Sequence, residues 1–335
     1  MAIAGALVSV SDGRTRDNTD SPDGSKSMKR ATSDASKIAL IGVPSSAGAR
    51  MVGQEQAPKA LRDEGLVQSL RSDGHEVLDL GDIKEVSFSP DTHHPKQQNL
   101  LQLVSVLNEV ESRVDSAVAK GGWPFIIGGD CTITIGVLAA LAKHFPSLGM
   151  MYLDGDVDLN TPETTFSGIF DGMVLAHVLG KGAPELSHFG SRYPLLDEVN
   201  ITLFGYSPEA GGLDPVEMEL LKDTRMAKYP MEDIKDAAQE AATKAIEDLE
   251  SKVDHIVIHF DVDVIHQDDF PAVDVPHNPG LSIVAVQQAL KIFLKSDKSV
   301  GLVVTEFNAS RDTDGRLATK LVDLISKAKG HKKTP

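Results

Sequence analysis

The stretch "YLDGDVDLNTPETTFSG", residues 152–168, follows the apolar "GMM" and sets Asp154, Asp156 and Asp158 at alternate positions. In an extended strand, alternate side chains share a face. Three like charges on one face repel unless a cation sits among them, and hard divalent ions take oxygen ligands. A solvated acidic loop is the bland alternative, so the rest of the chain has to decide.

Working outward, short apolar or β-branched runs predict strands at residues 37–43, 75–81, 124–129, 149–154, 200–205, 255–261 and 300–306. Amphipathic stretches at 57–71, 98–120, 132–144, 234–252, 282–296 and 315–328 predict helices between them. Strands apolar on both faces and separated by helices imply a three-layer α/β/α domain with a central, mostly parallel sheet. Ligands of such sheets collect beyond the carboxyl ends of the strands. "GGDC" (128–131), "DGDVD" (154–158), "DVD" (261–263) and "TEFN" (305–308) each follow directly on a predicted strand. Four acidic motifs on one sheet edge point to a metal site rather than to solvent.

Residues 11–36 are almost devoid of apolar side chains, so 1–36 is expected to be a disordered leader, 37–328 one α/β domain and 329–335 a polar tail. The net charge of −16 argues against nucleic acid and against an anionic membrane surface. No run is long enough to span a bilayer, no signal peptide is evident, and the single cysteine excludes an internal disulfide. A soluble, cytoplasmic protein is the expectation.

These motifs, with the early "GVPSSAGARMVGQEQAPKALRDEGL" (42–66), resemble the arginase family of metal-dependent ureohydrolases over residues 38–326 or so. The resemblance implies the arginase-like fold, a homo-oligomer and a pair of manganese ions. It places metal ligands at Cys131, Asp154, Asp156, Asp158, Asp261 and Asp263. It also implies that Asp158 orients the attacking water and that Glu306 meets a cationic substrate group. Asn160 and Ser167 are retained. Four positions depart from the family pattern. Cys131 replaces the histidine of GGDH, Asp156 the central histidine of D-x-H-x-D, and Asp171 the proton-transfer histidine of SG-x-x-H, while Ile169 replaces an asparagine that contacts the amino-acid part of arginine.

Four carboxylates and two neutral imidazoles balance two divalent ions. Here five carboxylates and a thiol carry up to six negative charges against the same four positive ones. The site is expected to respond by protonating a carboxyl, by binding one ion or none, or by using the excess to hold a cationic substrate. His266 and His277, in the loop after the last aspartate pair, could replace the lost imidazoles but read more simply as ordinary loop residues.

The leading expectation is a divalent-metal-dependent hydrolase, most simply with Mn²⁺, that cleaves a guanidino or amidino C–N bond in a small molecule other than arginine. Asp158, Asp171 and Glu306 are its candidate catalytic residues. A non-hydrolytic reaction on the same fold (isomerisation, proton transfer or cyclisation) is one alternative, and a metal-free binding homologue is another.

Overall fold

Each of the seven apolar runs forms a strand, shifted by at most one residue at either end, in a computed structural model that describes residues 37–208 and 215–330. These are β1 Lys37–Val43, β2 Glu76–Asp82, β3 Trp123–Gly128, β4 Leu148–Leu153, β5 Ile201–Phe204, β7 His255–Asp261 and β8 Ser299–Thr305. Between them comes β6, Ala227–Tyr229, a short half-buried edge strand with no apolar run to announce it. The eight strands form one sheet in the order β2-β1-β3-β8-β7-β4-β5-β6. Every pairing is parallel. The expected leader, residues 1–36, and the tail residues 331–335 lie outside the described residues.

Helices cover both faces. On one, α1 (Ala57–Asp63), α2 (Leu66–Ser72), α9 (Ala238–Glu250), α10 (Ile283–Lys295) and α11 (Arg316–Lys329) bury Ile38, Leu40, Phe125, Ile258 and Leu302. On the other, α3 (Leu100–Ala119), α4 (Ile133–His144), α5 (Val174–Val178) and α6 (Pro184–Ser187) bury the alternate residues Ala39, Ile41, Ile126, Val257 and Val303. The short helices α7 (Pro215–Lys222) and α8 (Met231–Ile234) precede and follow β6 in the chain. Burial on both faces is why β1, β3, β4, β5, β7 and β8 read as continuous apolar runs, whereas the edge strand β2 is largely exposed. The helix expected at 57–71 is split, because Gly65 takes φ 85°, a left-handed value that no helix interior accommodates. The last helix continues through Lys329, one residue into the stretch read as tail, with the ammonium 3.6 Å from the centre of the Trp123 ring.

The topology brings the four acidic motifs together. β3, β8, β7 and β4 are consecutive neighbours at the middle of the sheet, and their carboxyl ends carry "GGDC", "TEFN", "DVD" and "DGDVD" respectively.

Candidate metal centre

The strand-alternation account of Asp154, Asp156 and Asp158 is corrected by the structure. β4 ends at Leu153, so the three aspartates occupy the loop beyond it, and Asp158 has φ 47°. Backbone hydrogen bonds shape that loop: Asp156 N donates to Asp154 Oδ1 at 2.6 Å and Gly155 N to Asp263 Oδ1 at 3.2 Å. At the end of β7, Asp263 N donates to Asp261 Oδ1 at 2.7 Å.

Cys131 lies where the β3 loop turns into α4. Its N–H is shared by Asp171 Oδ1 (2.9 Å) and Glu306 Oε1 (3.1 Å). Its thiol donates to Asp261 Oδ2 at 2.8 Å and lies 3.1 Å from Thr305 Oγ1. The buried Asp130 ties this loop down by accepting from the N–H groups of Gly48 (3.0 Å) and Thr132 (3.1 Å). The Gly48 carbonyl in turn takes the Asp171 N–H at 3.1 Å, which fixes Asp171 beside Cys131. Glu306, at φ 68°, also accepts from Gln54 Nε2. Asp158 and Glu306 thus both hold left-handed backbone conformations that are costly for residues other than glycine, a pattern found at functional sites.

One residue that reading the sequence missed is His259. It stands two before Asp261 on β7 and shares its face, on the side that carries Val257 and looks toward α4. Its Nδ1 pairs with Thr134 Oγ1 at 2.8 Å, and its Nε2 lies 3.5 Å from Cys131 Sγ and 3.7 Å from Asp154 Oδ2. The ring stacks on its cross-strand neighbour Tyr152, with centroids 4.1 Å apart, and the Tyr152 hydroxyl donates to Asp158 Oδ2 at 2.5 Å. Burial alone pushes His259 down to about 3, so the imidazole is neutral. The signal available was the H-x-D alternation on a strand, which looked like core.

His277 also corrects an expectation. It is no ordinary loop residue: its ring is buried, with Nε2 3.4 Å from Asp156 Oδ2 and 3.8 Å from Asp263 Oδ2. His266 stays apart, its Nδ1 accepting from Asp268 N.

The candidate residues line one cleft of about 470 Å³ whose wall also includes Asn160, Ser167 and Ile169, with Arg50 as its one arginine or lysine among the described residues. Burial first, and then mutual repulsion, push the carboxyls of Asp154, Asp158, Asp171, Asp261 and Glu306 well above the usual carboxylate range. Burial also raises Asp263, to about 6, even though His277 works against it. Burial and the charges of Asp261, Glu306, Asp171 and Asp154 drive the Cys131 thiol up, so it is neutral.

A divalent ion fits these donors. Asp154 Oδ2 is buried without a hydrogen-bond partner, as are both ring nitrogens of His277. Potential ligand atoms of Cys131, Asp154, His259 and Asp261 lie within 4.8 Å of one another, as do those of Asp156, Asp263 and His277, and those of Cys131, Asp171 and Glu306. Asp158, held by Tyr152, lines the cleft outside these three groups.

The Arginase family model matches residues 36–328. The chain belongs to the arginase family. It is 30% identical to an arginase of Staphylococcus aureus (strain COL) over 293 residues, which is 86% of this chain and 95% of the relative. Among solved structures it resembles the native arginase of Bacillus caldovelox, with a TM-score of 0.82, 28% identity and coverage of 89% of this chain and 99% of that one. It also resembles an arginase of Bacillus cereus, with a TM-score of 0.80, 32% identity and the same coverage of each chain.

Proposed function

We propose that this arginase-family chain is a metal-dependent hydrolase of a guanidino or amidino C–N bond in a small molecule other than arginine. The observation that carries the reading is the convergence of Asp154, Asp261 and Asp263 at the ends of adjacent strands, with Asp154 Oδ2 buried and without a hydrogen-bond partner. Buried carboxylates that repel one another and leave an acceptor unpaired are costly without a cation. Asp154, Asp156, Asp158, Asp261 and Asp263, with Cys131, would hold one or two ions, and the oxygen-rich set favours Mn²⁺. When bound, a divalent ion supplies Lewis-acid activation of water.

The remaining work falls to the chain itself. Glu306 presents a carboxyl oriented by Gln54 Nε2 and the Cys131 N–H, and it is the anchor for the substrate's cationic group. Asp171, beside it, has a raised carboxyl pKa and can hold a proton for a leaving amine. Asp158, fixed by the Tyr152 hydroxyl, accepts the proton of the attacking water. Ile169 and the exposed Phe166 give the cleft an apolar flank where arginine's amino-acid end would need polar partners, so a substrate with a less polar body is favoured.

No helix among the described residues is long and apolar enough to cross a membrane. The lone cysteine, a buried free thiol, supports a reducing, cytoplasmic setting. A homo-oligomer and the absence of nucleic-acid partners complete the reading.

The test is a screen of linear guanidino and amidino compounds against chelator-treated protein with and without added Mn²⁺. Mn²⁺-dependent release of urea, or of the amine from an amidine, supports the reading. Metal-loaded protein that cleaves none of them counts against it.

A further inference from the structure

His277 comes from the loop between β7 and α10, at a position to which the family resemblance assigns no ligand. That loop is held in place by the Gln267 N–H, which donates to the His277 carbonyl at 2.9 Å, and by a parallel bridge between His266 and His277. The residue is 1% exposed, and neither ring nitrogen has a hydrogen-bond partner. A buried imidazole rarely stays unpaired.

Two features say what the ring is aimed at. Its Nε2 faces Asp156 Oδ2 and Asp263 Oδ2 at 3.4 and 3.8 Å. Donors about 2.1 Å from a shared ion lie roughly 3–4 Å apart, so this spacing suits ligands of one ion. The second feature is Gly155. A Cβ there would lie 2.4 Å from His277 Cδ2, 2.6 Å from Nε2 and 2.9 Å from Asp263 Oδ1. The main chain between Asp154 and Asp156 is therefore bare where the imidazole enters.

We propose that Asp156, Asp263 and His277 form a divalent-cation site in which His277 supplies, from a different part of the chain, the imidazole missing at position 156. The proposal rests on the metal-dependent reading above and deepens it. Two carboxylates and one neutral imidazole balance one divalent ion. An N,O₂ donor set also shifts preference away from Mg²⁺ toward Mn²⁺, Co²⁺, Ni²⁺ and Zn²⁺.

The experiment titrates chelator-treated full-length protein with Mn²⁺. It follows loss of the free-ion paramagnetic resonance signal and measures retained metal by elemental analysis. Wild type is compared with His277→Ala, with Gly155→Ala and with the control His266→Ala. In His277→Ala, one ion fewer per chain, or at least a 10–100-fold weaker affinity for one ion, is expected. Gly155→Ala, which keeps every ligand but crowds the His277 ring and Asp263 Oδ1, should weaken the same ion, while His266→Ala should match wild type. Gly155→Ala alone carries the test if His277→Ala does not fold. Unchanged stoichiometry and affinity in the folded variants overturn the proposal and leave the hydrolase reading standing. Wild type that takes up no ion overturns both, and His277 is then a built-in cation between two carboxylates. Metal binding that depends on His277 without any C–N cleavage upholds the proposal and removes only the hydrolase reading.

Discussion

The Cys131 thiol donates a hydrogen bond to Asp261 Oδ2 at 2.8 Å, bridging the ends of β3 and β7 across β8. A protonated thiol in this position has two consequences. It adds no negative charge to an already acidic cleft, and it makes Asp261 easier to keep ionised. Burial and four surrounding carboxylates hold the thiol neutral, so it is a poor nucleophile. In native, chelator-treated protein, Cys131 should therefore react with a thiol-specific disulfide reagent at neutral pH far more slowly than in denaturant. It is the only cysteine in the chain, so the readout is unambiguous. Rapid stoichiometric labelling of the native protein would show that the site opens.

Tyr152 links His259 to Asp158 by a stack on one side and a hydroxyl on the other. Tyr152→Phe keeps the stack and removes the donor. Stability should fall by about 1–3 kcal/mol, the cost of leaving a buried acceptor without its partner. Turnover should fall too, because Asp158 loses its orientation. Denaturant unfolding and steady-state kinetics check the pair; full activity in Tyr152→Phe would take Asp158 out of the mechanism.

The fold was legible because burial on both faces writes parallel strands as apolar runs, and the strand–acid junctions at 131, 154, 261 and 306 located the cleft. What sequence hid was hidden for physical reasons. His259 sits among core residues of β7, and only the register that places it opposite Tyr152 reveals its neighbours. His277 is brought back by a loop bridge that no local pattern encodes. The alternation of Asp154, Asp156 and Asp158 suggested a shared strand face, whereas a loop held by Gly155 N and Asp156 N gathers them. β6 escaped notice because three half-buried residues leave no periodicity.

The pH dependence follows from groups whose folded values are raised. Metal-free His277 is opposed by burial, but Asp156 and Asp263 lift it from 6.5 to about 9. Its stabilising contribution is complete below pH 6.5 and is lost as pH rises through about 9. The raised carboxyls of Asp154, Asp158 and Asp261 act in the same direction, since the folded protein holds protons that the unfolded chain has released. Lys329, lowered by burial to about 7, pulls the other way, but it is remote from the cleft and contributes equally with and without metal. Ion binding needs deprotonated ligands. The rise in Tm caused by Mn²⁺ should therefore grow between pH 6.5 and 9, as differential scanning fluorimetry can measure. A Mn²⁺ effect that shrinks over this window would contradict the assigned ligands.

Glu306→Gln preserves an oxygen acceptor for the Cys131 N–H but removes the negative charge offered to the substrate. Losing a charge-assisted contact worth about 2–3 kcal/mol should lower kcat/KM by roughly 30–150-fold. Bound metal should be unchanged by elemental analysis. An equal loss of metal would make Glu306 a ligand instead of a substrate anchor.

Hydrolysis puts one oxygen from water into the product, so isotopic labelling of the product separates it from isomerisation and cyclisation. Mn²⁺-loaded protein is incubated in H₂¹⁸O with the substrate selected from the guanidino and amidino panel, and the product is analysed by mass spectrometry. One ¹⁸O in the new carbonyl group, only when metal is present, is the expected result. Metal-dependent turnover to an unlabelled isomer or ring-closed product would contradict it.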